Sequence, residues 1–177
     1  MLSMIKANTQ DIEKEYLFQR DIPEDENGFL NEWHNCTFED FRAVILPKMM
    51  ANSIGEQLPD GYVPQTFYFV WEDDAIVGQV HIRHYLCESL VNGSGHIGYY
   101  IAPGFRGRGL GTKMLALAVR KASKIVPEDE IYLQVNKDNP ASLKCMLNNG
   151  GYIHHEDGIH YLVRIKKLRE GDYGDKD

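Results

Sequence analysis

The residues whose types and spacing carry the most chemistry lie in the run Ile101-Ala-Pro-Gly-Phe-Arg-Gly-Arg-Gly-Leu-Gly-Thr112. Gly107, Gly109 and Gly111 occupy alternate positions, so the backbone can take unusual conformations and approach a ligand closely. A helical pattern begins at Gly109, which lets the loop N–H groups converge at a helix N-terminus and form an anion site. Arg106 and Arg108 add positive charge in a chain whose net charge is −7. Together these features describe a cradle for a pyrophosphate. A dinucleotide site would use G-x-G-x-x-G in the first strand–turn–helix, with an acidic residue about 20 positions on. Here the glycines run G-x-G-x-G in mid-chain. A nucleoside-triphosphate loop needs G-K-[ST], and Gly111-Thr112-Lys113 has another order.

Several elements must position this loop. Gly95 to Ala102 reads as the strand before it, stopped by Pro103. Gly109 to Lys124 reads as the helix after it, with Leu110, Met114, Leu117 and Lys121 on one stripe. Upstream, Asp11 to Arg20 suits a short helix. Thr37 and Asp40 mark a second helix start, and Pro47 is expected to end or kink that helix. Gln65 to Trp71 suits a strand, Asp73-Asp74 a turn, and Ala75 to Tyr85 an alternating strand. In the latter, Ile76, Gly78, Val80 and Ile82 share one face, and Gln79, His81, Arg83 and Tyr85 the other. Downstream, Ile131 to Val135 reads as a buried strand and Asn139-Pro140 as a helix start. Gly150 and Gly151 suit the C-terminal cap of that helix. Asp157-Gly158 joins a hairpin of Tyr152–His155 and Ile159–Ile165. The order is that of an α/β (α+β) fold, a mixed and mostly antiparallel central sheet flanked by helices.

The 177 residues amount to one domain, expected over 1–168, with 169–177 a flexible charged tail. The acidic balance argues against a nucleic-acid partner. No window approaches the roughly 18 apolar residues of a membrane span. Cys36, Cys87 and Cys145 are odd in number and have no metal or redox spacing, so they read as reduced thiols in the cytoplasm.

The segment Arg106-x-x-Gly109-x-Gly111 resembles the coenzyme-A loop of the GNAT superfamily of N-acetyltransferases. So do Ile101-x-Pro103 before it and Met114-Leu115 after it. Asn139-x-x-Ser142-Leu143 and Asn149-Gly150-Gly151-Tyr152 look like that family's second coenzyme segment. The resemblance covers about residues 65 to 166. More narrowly, Gly61-Tyr-Val-Pro, Arg83-His-Tyr-Leu, Glu88-Ser-Leu and Gly95-His-Ile-Gly resemble a bacterial subgroup of acetyltransferases.

The resemblance implies that acetyl-CoA lies between two splayed strands, Gly95–Ala102 and Ile131–Val135. Tyr100, Ile101 and Ala102 would face its thioester. N–H groups from Phe105 to Thr112, through Arg106, Gly107, Arg108, Gly109, Leu110 and Gly111, would hold the pyrophosphate. Asn139 and Ser142 would meet the pantetheine arm, Asn139 also being a good helix cap. The acceptor would be an amine of a small molecule, and alkylammonium must lose a proton before it attacks. His96 and Glu88 are the candidate bases, each with a structural alternative. The acceptor pocket is expected from Phe29 to Pro64 and from Tyr85 to Gly95, with Glu56, Asp60 and Glu88 facing a cationic substrate. The family also implies a bulge in the strand that begins at Gly95, and dimerisation through a sheet edge is common in it.

Met146 stands where many members carry the tyrosine that protonates the leaving thiolate; either the thiolate leaves unaided, as its low pKa permits, or Tyr99, Tyr100 or Tyr152 serves. That departure keeps a weakly catalytic acetyl-CoA sensor in view, and a protein-modifying enzyme is the other alternative. Cys145 reads as packing rather than a nucleophile. His154, His155 and His160 lack the support a metal needs, so no metal is expected. Arg164, Lys166, Lys167 and Arg169 read as a solvated basic run, with a coenzyme phosphate as the alternative.

Overall fold

Two aromatic and β-branched runs build the centre of the molecule. Gln65–Glu72 (β4) and Ala75–Arg83 (β5) pair antiparallel around the Asp73-Asp74 turn, Asp73 taking a positive φ of 54°. Along β4, Phe67, Phe69 and Trp71 face one core, and Tyr68 and Val70 face another. A strand covered on both faces is buried along nearly its whole length, as β4 is.

The computed structural model describes residues 1–168. The tail expected over 169–177, Arg169 included, lies outside the described residues. Besides β4 and β5, the strands are β1 (Leu2–Lys6), β2 (Asp25–Glu26), β3 (Phe29–Leu30), β6 (Ile97–Ile101), β7 (Glu130–Asn136), β8 (Tyr152–Glu156) and β9 (His160–Lys166). The helices are α1 (Ile12–Asp21), α2 (Phe38–Asp40), α3 (Leu46–Asn52), α4 (Glu88–Val91), α5 (Leu110–Ala122) and α6 (Pro140–Asn148). One antiparallel sheet runs β1-β4-β5-β6, a second runs β7-β9-β8, and β2 and β3 form a separate hairpin. On one face of the first sheet, α5 buries Leu110, Met114, Leu115 and Ala118 against Val80, Ile82 and Ile97. The other face packs on Phe41, Ile45, Leu46 and Met49.

Three local expectations are corrected. Pro47 does not break its helix: a π-helical turn over Phe41–Ile45 joins α2 to α3, and Pro47 takes the first turn of α3, where a missing N–H costs little. Thr37 and Asp40 complete the capping box at the start of this rod. Ile76 leaves the face of Gly78, Val80 and Ile82. Trp71 pairs with Ile76 and Val70 with Gly78, so Val77 is the extra residue of a bulge and turns to the α5 core. The bulge implied for the strand after Gly95 is absent from the β5–β6 pairing, which runs in steady register from Gly78–Ile101 to Ile82–Ile97.

The two sheets meet at one end. Gly95 bridges Leu133, and the His96 N–H donates to the Tyr132 carbonyl at 2.7 Å. Gly95 has φ +64°, and a Cβ there would lie 2.2 Å from the Tyr132 carbonyl oxygen, so only glycine permits this approach. Beyond that junction β6 and β7 belong to different sheets and diverge. No helix of the described residues is long and apolar enough to cross a membrane.

Candidate active site

The divergence of β6 and β7 opens a cleft of about 920 Å³. Its floor at one end is the glycine loop. After β6, Pro103–Phe105 makes a 3-10 turn, and Gly107 and Gly109 take φ of 76° and 74°. This left-handed backbone aims the loop N–H groups ahead of α5. Among the described residues, no N–H from Gly107 to Thr112 has an acceptor. A Cβ on Gly111 would lie 3.0 Å from the Cys145 sulfur, so this glycine lets α5 approach α6.

The arginines of the loop are engaged elsewhere. Arg106 donates from Nε to the Ile101 carbonyl at 2.9 Å and from Nη1 to Glu26 Oε1 at 2.6 Å. Arg108 donates from Nη2 to Glu72 Oε2 at 2.8 Å. The loop's capacity for anions therefore resides in its backbone, with the arginines shaping it. Of the coenzyme residues expected from sequence, Tyr100, Ile101, Arg106, Gly107, Gly109, Leu110, Gly111, Thr112, Asn139 and Ser142 line the cleft. Ala102 and Arg108 do not.

On the opposite wall, Asn139 Oδ1 accepts the Ser142 N–H at 3.1 Å and caps α6. Tyr99 reaches from β6 to the same turn, its hydroxyl 2.6 Å from Ser142 Oγ. Burial holds the Tyr99 hydroxyl well above its ordinary pKa, so it keeps its proton. Met146 lines the cleft beside it and is buried. Tyr152 lies on β8 with its hydroxyl on Glu130, outside the cleft. Cys145 accepts from Thr112 Oγ1 at 3.6 Å. His160 faces Asp157 across the β8–β9 turn at 3.1 Å, while His154 and His155 are exposed on β8.

Neither expected base lines the cleft. His96 is fully buried at the sheet junction. Its Nδ1 accepts the Tyr132 N–H at 2.9 Å, which fixes the Nε2–H tautomer, and Nε2 donates to Glu128 Oε2 at 2.9 Å. Burial lowers its pKa, so the ring is neutral with its single lone pair occupied. That geometry braces the strands and leaves no site for a substrate proton. Glu88 is exposed at the start of α4. Glu56 borders a separate groove near Lys6 and Met50, and Asp60 borders neither.

From the expected acceptor segments Phe29, Leu30 and Ser94 line the cleft, but its polar groups come from residues that carry no role in the sequence reading. The β2–β3 hairpin turns at Asn27-Gly28, both at positive φ, and brings Gly28 to Asn136 of β7 across the cleft. Glu26 lines the cleft, and its Oε2 is buried with no hydrogen-bond partner. His81 of β5 lies opposite Gly98, where any Cβ would meet the imidazole at 2.1 Å. Its ring stacks on Phe29 at 5.6 Å and lines the cleft. Among the described residues no hydrogen bond is made by its nitrogens. Burial, with Arg83 adding to it, pushes its pKa well below the ordinary histidine value, so the ring is neutral and keeps one lone pair unprotonated.

A buried network holds this side in place. Gln79 of β5 donates to Gln19 Oε1 at 2.6 Å, Gln19 donates to Asn31 Oδ1 at 2.7 Å, and Asn31 donates to the Ile22 carbonyl at 2.9 Å. It ties α1 and the chain after β3 to the central sheet.

Comparison with known proteins agrees with the geometry. Residues 27–150 match the model of the acetyltransferase (GNAT) family. No curated protein sequence matches. Among solved structures, a GNAT-family acetyltransferase from Streptococcus pneumoniae is 19% identical with a TM-score of 0.60, over 94% of this chain and 99% of that one. The N-acetyltransferase PseH of Campylobacter jejuni, in complex with acetyl coenzyme A, is 20% identical with a TM-score of 0.58, over 95% and 100%. Spermidine N-acetyltransferase from Vibrio cholerae, in complex with CoA and spermine, is 14% identical with a TM-score of 0.61, over 94% and 95%. The family match spans most of the chain and the fold is shared along its length: the chain belongs to the GNAT family of acetyltransferases.

Proposed function

We propose that this enzyme moves an acetyl group from acetyl-CoA to the primary amine of a small molecule by direct attack. The observation that carries the reading is the row of unsatisfied N–H groups from Gly107 to Thr112, set at the mouth of α5 and facing the cleft. Such a row fits a pyrophosphate, because it needs acceptors and stands at the positive end of a helix. Acetyl-CoA, when bound, supplies the acetyl group as an activated thioester. Asn139 and Ser142 border the path of its pantetheine arm, and the backbone of β6 at Tyr100 and Ile101 borders its reacting end.

The acceptor side supports an amine. Glu26 Oε2 offers an unfilled acceptor for an ammonium N–H. A ring nitrogen of His81, neutral and without a partner, takes the proton that the attacking nitrogen must lose. Tyr99, protonated at the other wall, is placed to give a proton to the departing sulfur. The hairpin across the cleft at Gly28 and Asn136 suits a small acceptor better than an extended protein tail.

The test is calorimetric titration of the full chain with acetyl-CoA, followed by release of free CoA against a panel of amines. Saturable binding and amine-dependent release are expected. Absence of binding by the folded protein would overturn the reading.

A further inference from the structure

One half-buried cation on the acceptor side has no acidic partner. Arg83 ends β5 beside the sheet junction, where its N–H donates to the His96 carbonyl at 2.8 Å and its Nη1 to the Gly95 carbonyl at 3.0 Å. Among the described residues no carboxylate lies within ion-pair distance of it. The Cys87 thiol and the Tyr62 phenol act on it electrostatically. Burial pulls its pKa below the ordinary arginine value, and it lines the cleft beside Ser94. Behind it, Arg164 is buried, stacked 3.5 Å over the Tyr132 ring and bonded to the carbonyls of Val163 and Val91. The carboxylate in this corner is Glu128, and its oxygens are taken by the Leu86 N–H and by His96. In a protein of net charge −7, this leaves one wall of the acceptor site positive and short of a counter-charge. A charge partly withdrawn from water with no counter-charge is costly, and one that lines a cleft is a natural point for an anionic ligand to complete.

We propose that Arg83 binds an anionic group, a carboxylate or a phosphate, carried by the amine that is acetylated. His81 and Arg83 share one face of β5, two residues apart, a distance of about 7 Å along the strand. Glu26 lies farther along, beside Tyr100, whose strand partner is Gln79. An acceptor with its ammonium toward Glu26 and His81 and its anion on Arg83 meets a complementary charge at each end. This rests on the acetyl-transfer reading above and narrows its substrate to amines that are also anions. A planar guanidinium grips either oxyanion in two-pronged fashion.

The test uses the full chain saturated with CoA, so that the glycine loop is filled, titrated separately with inorganic phosphate and with acetate. A saturable rise in melting temperature is expected with at least one of them. The rise should vanish in Arg83→Gln and return in part in Arg83→Lys. The effective anion distinguishes phosphate from carboxylate chemistry. Wild-type turnover is then compared for matched pairs, pentylamine with 5-aminopentanoate and propylamine with 3-aminopropyl phosphate. The anionic member of one pair should have a kcat/KM higher by on the order of tenfold to a hundredfold, and added salt should erode the gain. Anion stabilisation that survives in Arg83→Gln overturns the proposal, as does stabilisation by neither anion. Should that variant fail to fold, equal rates within both pairs overturn it from the wild type alone. A wild type that acetylates neutral and anionic amines alike loses only the subsite, whereas one that binds no acetyl-CoA loses the underlying reading as well.

Discussion

Gly109 separates the stability of the loop from its chemistry. Its φ of 74° lies in the left-handed region, and a Cβ there meets no atom within 4 Å. Replacing it with an L-residue therefore costs backbone strain alone, about 1–2 kcal/mol. In a domain of this size each kcal/mol lowers the melting temperature by about 2–4 °C. Gly109→Trp should still fold, with a melting temperature lower by several degrees. The indole would stand in front of the unsatisfied N–H groups between Gly107 and Thr112. Losing two hydrogen bonds to a charged phosphate, at about 1.5 kcal/mol each or more, amounts to about 3 kcal/mol. That is roughly a hundredfold in Kd, every 1.4 kcal/mol being tenfold. The control is Gly61→Trp: Gly61 also has a positive φ, 80°, with nothing within 4 Å, and lies outside the cleft. It should show a similar thermal loss and unchanged acetyl-CoA affinity by calorimetry. Wild-type affinity in a folded Gly109→Trp, or equal loss of affinity in Gly61→Trp, would refute the assignment of the anion to the loop backbone.

Gly95→Ala drives a Cβ into the Tyr132 carbonyl at the junction of the two sheets, and should cost roughly 3 kcal/mol or more in chemical denaturation. Gly104→Ala, which meets nothing, should cost little. His81→Gln should lower kcat by about 10²–10⁴-fold with acetyl-CoA affinity intact. His96→Ala should instead lower stability, because it strips the Tyr132 N–H and Glu128 of their partner. Glu15 is fully buried on the inner face of α1, and burial raises its pKa from 4.5 to about 8. The folded state thus holds a proton that the unfolded state releases across that window. Stability should fall as pH rises from about 4.5 to about 8 and level off above it, and Glu15→Gln should remove the slope in denaturation measured across that range.

The parts of the fold that could be read in the sequence are those where local chemistry and burial agree. The Thr37–Asp40 capping box, the Asn139-Pro140 helix start and the Asp157-Gly158 turn each lie where their side chains dictate. Strands of two residues escape such reading. The β2–β3 hairpin has too few residues for alternation to appear, although Asn27-Gly28 between Glu26 and Phe29 carries the I′ turn signal that would have revealed it. Ile76 was misplaced because alternation assumes an unbroken register, and the extra residue Val77 is set by packing on α5 rather than by its own type.

The site divides along the same line. The glycine spacing gives the loop because a left-handed backbone favours glycine, so repeated glycines report geometry by type. Charge does not report geometry in this way. Arg106 and Arg108 read as phosphate ligands, yet Glu26 and Glu72, 80 and 36 residues away along the chain, hold them. His96 reads as a base from its place on the strand beside the expected thioester, yet Tyr132 and Glu128 occupy both ring nitrogens. A titratable side chain is as available as its long-range partners leave it. At the cleft, folding supplied no hydrogen-bond partner for the His81 ring or for one oxygen of Glu26, and no carboxylate for Arg83, whose Nη1 meets only the Gly95 carbonyl. Their unmet hydrogen-bonding capacity therefore points more directly to the acceptor than any property of their residue types.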